Sequence, residues 1–164
     1  MPIIEFGKIN PLEDGRQSQR ALQVRYGVQR LLTNMGHAML PEVTLVSGRR
    51  ADLMALTDKG EFWIIEIKSS IEDLKVDRKW PEYRAYCDRL YFATLADVPM
   101  EIFPEDCGFI VSDNYGAEIL REAPLHLLAA ASRKALLLRF ARSGAQRLLA
   151  AERAGVDVAS ISDD

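Results

Sequence analysis

Phe62-Trp63-Ile64-Ile65-Glu66-Ile67-Lys68 is the stretch on which the fold turns. It is the most apolar run of the chain, rich in β-branched and aromatic side chains, and it follows the turn signal Asp58-Lys59-Gly60. That composition reads as a buried strand. Side chains alternate along a strand, so Ile64, Glu66 and Lys68 project to one face and Trp63, Ile65 and Ile67 to the other. Charges in such a place cost several kcal/mol to desolvate unless something pairs with them. A divalent metal on a phosphate substrate is one such partner.

Upstream, Ala51 to Leu56 reads as a strand, Ser47-Gly48 as a turn and Val43 to Val46 as an earlier strand. If the second and third strands pair through Asp58 to Gly60, the Asp52 carboxylate comes near Glu66 across the ladder. Asp52, Glu66 and the Ile67 carbonyl would then offer hard oxygen ligands to Mg2+, with Mn2+ as an alternative. Lys68, on the same strand face as Glu66, would orient an attacking water and stabilise charge on a phosphorane-like transition state. The chemistry this suits is phosphodiester hydrolysis. The competing reading of Asp52, Glu66 and Lys68 is a structural salt-bridge cluster, but buried ion pairs are weak stabilisers.

Further out, Ala21, Val24, Val28, Leu31, Leu32 and Met35 recur at helical spacing, with Asp14 as a cap and Gly36 as a stop. Downstream, Pro81 suits the first turn of a helix whose stripe is Tyr83, Tyr86, Cys87 and Leu90. Tyr91 to Leu95 follows as a strand. Phe109 to Asp113 and Glu118 to Arg121 flank Asn114-Tyr115-Gly116 as a hairpin, and a helix from Leu127 to Ala151 ends at Gly155. The expected class is α/β, an αβββαβ core on a mixed sheet, followed by a hairpin and a long C-terminal helix. Residues 1–153 make one domain and residues 154–164 a short polar tail.

At 164 residues with 48% hydrophobic content, the chain can bury an ordinary core. No basic segment with an apolar h-region opens it and no uncharged run is long enough to span a bilayer, so a cytoplasmic protein without a membrane partner is expected. Cys87 and Cys107 lie apart, outside any zinc or redox spacing, and read as reduced packing residues. A net charge of −3 argues against a protein that coats nucleic acid non-specifically, though not against a nucleic-acid enzyme. The basic charge is concentrated late: Arg133, Lys134, Arg139, Arg142, Arg147 and Arg153 stand against Glu152 alone. The apolar stripe of that last helix runs through Leu128, Ala131, Leu138, Ala145 and Leu149. Its cations therefore clamp phosphates or only keep an amphipathic helix soluble.

The motifs Arg49-Arg50-Ala51-Asp52 and Glu66-Ile67-Lys68-Ser69-Ser70 resemble those of the PD-(D/E)XK nuclease superfamily. Together with Gly48, Asp77-Arg78-Lys79-Trp80-Pro81-Glu82-Tyr83, Cys87-Asp88-Arg89-Leu90 and Phe103-Pro104-Glu105-Asp106-Cys107-Gly108, they are similar to the MmcB-like bacterial DNA-repair family within it. The resemblance implies a restriction-endonuclease-like fold, Mg2+ dependence and a role in handling damaged DNA, with DNA and other repair proteins as partners. It also implies that Asp52 and Glu66 are the metal-binding acids, that Lys68 is the catalytic lysine, and that cleavage leaves 5′-phosphate and 3′-hydroxyl ends. One departure stands out: many superfamily members add a carboxylate on the first helix, where this chain has Gln19 and Gln23 and keeps Glu13 and Asp14 at the start. Glu42 is either a substitute or a solvated acid.

Arg49, Arg50, Arg78 and Lys79 are the candidate DNA contacts, against the plainer readings of a polar turn and a solvated helix start. Arg16, Arg20 and Arg30 read first as a solvated helix face. Tyr83 and Tyr86 read first as core rather than base-stacking platforms. Asp88 reads as an arginine partner, and His37 and His126 as caps or surface residues. The rival to a nuclease is a DNA-binding or partner-recruiting repair module of the same fold that cuts poorly or not at all. RNA is a third possibility, because the motif addresses the phosphodiester and the metal, not the sugar.

Overall fold

The computed structural model describes residues 15–161; Glu13 and the expected cap Asp14 lie outside them. Six strands form one mixed sheet in the order β1-β2-β3-β4-β5-β6: β1 (Ala38–Thr44), β2 (Arg50–Leu56), β3 (Phe62–Ile67), β4 (Arg89–Leu95), β5 (Gly108–Ser112) and β6 (Ala117–Arg121). The first three form an antiparallel meander, β3-β4 and β4-β5 are parallel, and β5-β6 is an antiparallel hairpin. With α1 (Gly15–Asn34), α2 (Ile71–Val76) and α3 (Ala130–Arg153), this is the expected α/β architecture with a long C-terminal helix.

The alternation of β3 sorts the two cores. Trp63 and Ile65 join Leu53, Ala55, Tyr91 and Ile110 on one face, under Val24, Val28 and Leu32 of α1. Phe62 and Ile64 join Met54, Phe92 and Phe109 on the other, covered by Leu74 of α2, Tyr83 and Leu136 of α3. Gly36, at φ +79°, closes α1 in a left-handed cap whose His37 N–H reaches the Leu32 carbonyl at 2.9 Å. Gly27 lets α1 touch the hairpin: a Cβ there would lie 1.9 Å from Ser112 Oγ and 2.6 Å from the Gly116 carbonyl oxygen.

Three boundaries differ from expectation, each for a local reason. In place of one helix from Pro81, the chain forms the short α2 and then a 3-10 helix, Trp80–Tyr86. Ser70 caps α2, and Asp77 Oδ1 then accepts the N–H groups of Lys79 and Trp80, which restarts the chain in a tighter winding. Leu90, expected in that helix, lies in β4.

Helix α3 begins at Ala130 because the segment before it is tied to Asp88: His126 N–H bonds its carbonyl and Leu128 N–H its carboxylate. The ridge that α3 seats on the sheet runs through Leu136 and Phe140, whereas Ala131, Leu138, Ala145 and Leu149 of the expected stripe are exposed.

Strand β1 starts at Ala38 rather than Val43 and runs through Pro41 and Glu42. Glu42 is held at φ +52°, a left-handed conformation unusual for a side chain of its size, and both Glu42 and Asp52 drop out of the β1-β2 ladder. The edge carbonyls of β1 are covered from α3. Arg139 bonds Thr44 at 3.0 Å, while Arg147 bonds Pro41 and Glu42. Proline, a kink and a covering helix together blunt an edge that could otherwise pair with another chain.

Candidate active site

The kink at Glu42 builds the site. It leaves the Asp52 N–H without a ladder partner on β1, and that N–H instead reaches Glu66 Oε1 at 3.2 Å. Reciprocally, Ile67 N–H, beyond the Leu53 to Ile65 pair that ends the β2-β3 ladder, reaches Asp52 Oδ2 at 2.8 Å. Two carboxylates thus replace backbone pairing where the meander opens, and the structure brings Asp52 and Glu66 face to face. Glu66 is 3% exposed, and Asp52 is half-buried.

Burial, and then the charge of Asp52, push the Glu66 carboxyl well above its usual range; the Asp52 N–H and Lys68 oppose them. Burial raises Asp52 as well, against the Ile67 N–H and the Lys68 charge. Both carboxyls are thus raised, each lying within reach of the other's influence. The pair therefore holds a proton to higher pH than ordinary carboxylates do, and a cation would take the place of that proton.

Among the described residues no group of three or more His, Cys, Asp or Glu side chains is arranged to hold a metal ion. A zinc-type site, which needs three or four such ligands, does not fit. Two hard carboxylates do fit a cation of the Mg2+ type, which keeps several waters and binds through one or two carboxylates with substrate phosphate.

Lys68 lies at the end of β3, where its N–H extends the parallel pairing to the Ala93 carbonyl at 3.0 Å. The turn after it is clamped by Arg20 of α1, which donates to the Ser69 carbonyl and to Asp97. The Lys68 ammonium forms a 2.5 Å ion pair with Asp77 Oδ2, both side chains largely enclosed. Burial pushes Asp77 up, but Lys68 and the two backbone N–H groups on its other oxygen outweigh that and hold it below the usual range. Asp77 is the residue that sequence reasoning missed as part of the site. Its signal was an Asp just ahead of Lys79-Trp80-Pro81, the position from which a carboxylate caps a proline-led helical turn.

Tyr83 packs in the core and donates its hydroxyl to the Arg50 carbonyl at 3.0 Å. Burial first, then the Glu66 and Asp52 charges, drive that hydroxyl upward, so it stays a donor beside the acids. Around the rim, Arg49 pairs with Glu82, and Arg50 lies 4.0 Å from Glu42, whose charge is felt at Asp52. Arg78 and Lys79 are exposed and follow Asp77 directly. Gln19 and Gln23 are exposed on α1, over the opposite face of the sheet from Glu66.

Asp88 takes its arginine: Arg133 grips both carboxylate oxygens at 2.7 and 2.8 Å. With Arg139 and Arg147 spent on β1 carbonyls, three of the basic side chains of α3 hold the helix down. Cys87 and Cys107 are buried and free. No helix among the described residues is long and apolar enough to cross a membrane.

A mixed-sheet α/β protein with an Asp, a Glu and a Lys gathered where its strands part is the class that fold and site define. The chain belongs to the MmcB-like family of DNA repair proteins, whose model matches residues 8–155. It is also similar to a solved structure, the SPO1766 protein of unknown function from Silicibacter pomeroyi. The identity is 38%, covering 85% of this chain and 96% of that one, with a TM-score of 0.79. No curated protein matches the chain.

Proposed function

We propose that this protein is a Mg2+-dependent nuclease of the PD-(D/E)XK type that hydrolyses DNA phosphodiester bonds during repair. The observation that carries the reading is the Asp52 and Glu66 pair, both acids raised by burial and Glu66 further by the charge of Asp52, with Lys68 two residues along the strand from Glu66. Membership of a DNA repair family supports DNA as the substrate. Asp52 and Glu66 would hold Mg2+ or Mn2+, which when bound neutralises phosphate charge and acidifies water.

The chain's own groups supply the rest. Asp77 fixes the Lys68 ammonium, so its donors are already aimed when charge develops on the phosphate oxygens. Tyr83, anchored to the Arg50 carbonyl, walls one side of the pair. Arg49, Arg50, Arg78 and Lys79 on the rim would take the flanking phosphates, positioning the strand without reading its sequence.

The reading is tested by single-turnover cleavage of branched, nicked, single-stranded and duplex DNA, with RNA counterparts, in Mg2+ and in Mn2+. Lys68→Ala should cut about a hundredfold more slowly while binding DNA as wild type does. A variant that cuts at the wild-type rate would remove Lys68 from the chemistry. A non-cutting repair module is the second reading. It draws on the ion pairs that already occupy Lys68 and Arg49, and it predicts DNA binding with no cleavage of any substrate.

A further inference from the structure

Helix α3 carries two apolar ridges where one suffices to hold it to the sheet. Leu136 and Phe140 seat the first, and Arg133, Arg139 and Arg147 pin the same side to the body of the protein. Beside that ridge Leu137, Leu138, Leu148 and Leu149 are 38%, 56%, 49% and 46% exposed. At 3.6 residues per turn these leucines form two pairs at either end of a single stripe, with the exposed Ala141 and Ala145 between them. An apolar stripe of this length on a surface marks an interaction site.

The charges say what covers it. Lys134 and Glu152 sit at opposite ends of the stripe, about five full turns apart, and so on the same side of the helix. Neither has an ion-pair partner among the described residues. Lay two copies of α3 antiparallel about a twofold axis at the level of residue 143, and every position finds its complement. Leu138 meets Leu148, Leu137 meets Leu149, and Ala141 meets Ala145. Lys134 of each copy meets Glu152 of the other.

Alanines at the crossing allow close approach of the two helices, with leucine layers on either side. A parallel pairing would set like charge against like at both ends. We propose that α3 is a self-complementary dimer interface and that the occupant of its exposed stripe is a second copy of this chain. A surface for an unrelated protein has no need of charges that match under its own twofold.

The test is sedimentation equilibrium of the full chain from micromolar to submillimolar concentration, with helix content followed by circular dichroism. The wild type should be a dimer, and Leu138→Glu/Leu148→Glu a monomer. Lys134→Glu and Glu152→Lys should each weaken association about tenfold, through two like-charge contacts apiece. Combined in one chain, the two reversals should restore wild-type affinity. If the leucine variant fails to fold, the charge series alone decides. A wild type that stays monomeric throughout, a dimer indifferent to the leucine pair, or a double reversal that does not restore association would each overturn the proposal.

Discussion

Asp88 and the Asp52 and Glu66 pair are buried acids on the same sheet, treated in opposite ways. Asp88, 1% exposed, is met by the N–H groups of Phe62 and Leu128 and by both arms of Arg133, all within 2.9 Å. Burial pushes it up, but those donors win and hold it below the usual carboxylate range. Asp52 and Glu66 have one backbone N–H each and then face one another, and both are raised. An acid buried for structure is surrounded by donors. An acid pair buried against itself is a place prepared for positive charge.

The comparison is broken most severely at Asp88. Arg133→Ala leaves that carboxylate enclosed without its cation and should cost about 3 kcal/mol in urea unfolding at neutral pH. Because the Asp88 pKa is depressed on folding, its contribution is present above the unfolded carboxylate value and is lost as pH falls through the folded one. The gap between wild type and variant should therefore narrow in acid.

Glu66→Gln should act in the other direction. A raised folded pKa makes the metal-free protein lose stability as pH climbs from the unfolded Glu value, 4.5, through the raised one. At neutral pH the variant should thus be more stable than metal-free wild type, by on the order of 1 kcal/mol. Mg2+ or Mn2+ should raise the Tm of wild type and leave that of the variant unchanged. A Glu66→Gln protein that melts lower than metal-free wild type at neutral pH would make the pair a structural feature like Asp88.

The smallest effect is expected at the kink that frees the Asp52 N–H. Glu42→Gly relieves a left-handed side chain but loosens the unfolded chain, so thermal melting should show a net gain of about 0.5 kcal/mol. A marked loss instead would mean that the Glu42 side chain itself supports the site.

The meeting of Asp52 and Glu66 could be read in the sequence because it depends on local facts. Turn chemistry at Asp58 to Gly60 fixes the hairpin register, and the period of two fixes which side chains share a face. The parts that escaped depend on tertiary contacts. The turn at Asp77 reads as a helix start until its carboxylate is seen gripping Lys68 and two backbone N–H groups. The left-handed Glu42 is held by a β1 edge that Arg147 covers from more than a hundred residues away. In α3 the sequence holds two apolar ridges, and periodicity alone cannot choose which one faces the sheet. Arg133, Arg139 and Arg147 choose it, by reaching carboxylate and carbonyl oxygens on that side.

The most direct test of the account is metal-dependent cleavage by wild type and by Asp52→Asn/Glu66→Gln. The two would be compared in single turnover on the same panel of labelled DNA, beside calorimetric titration with Mn2+. The account predicts that wild type binds Mn2+ with release of a proton and cuts DNA only in its presence or that of Mg2+. The folded double variant should do neither while still binding DNA. Equal metal affinity in the two proteins, or a wild type that binds metal and DNA yet cleaves nothing, would contradict it.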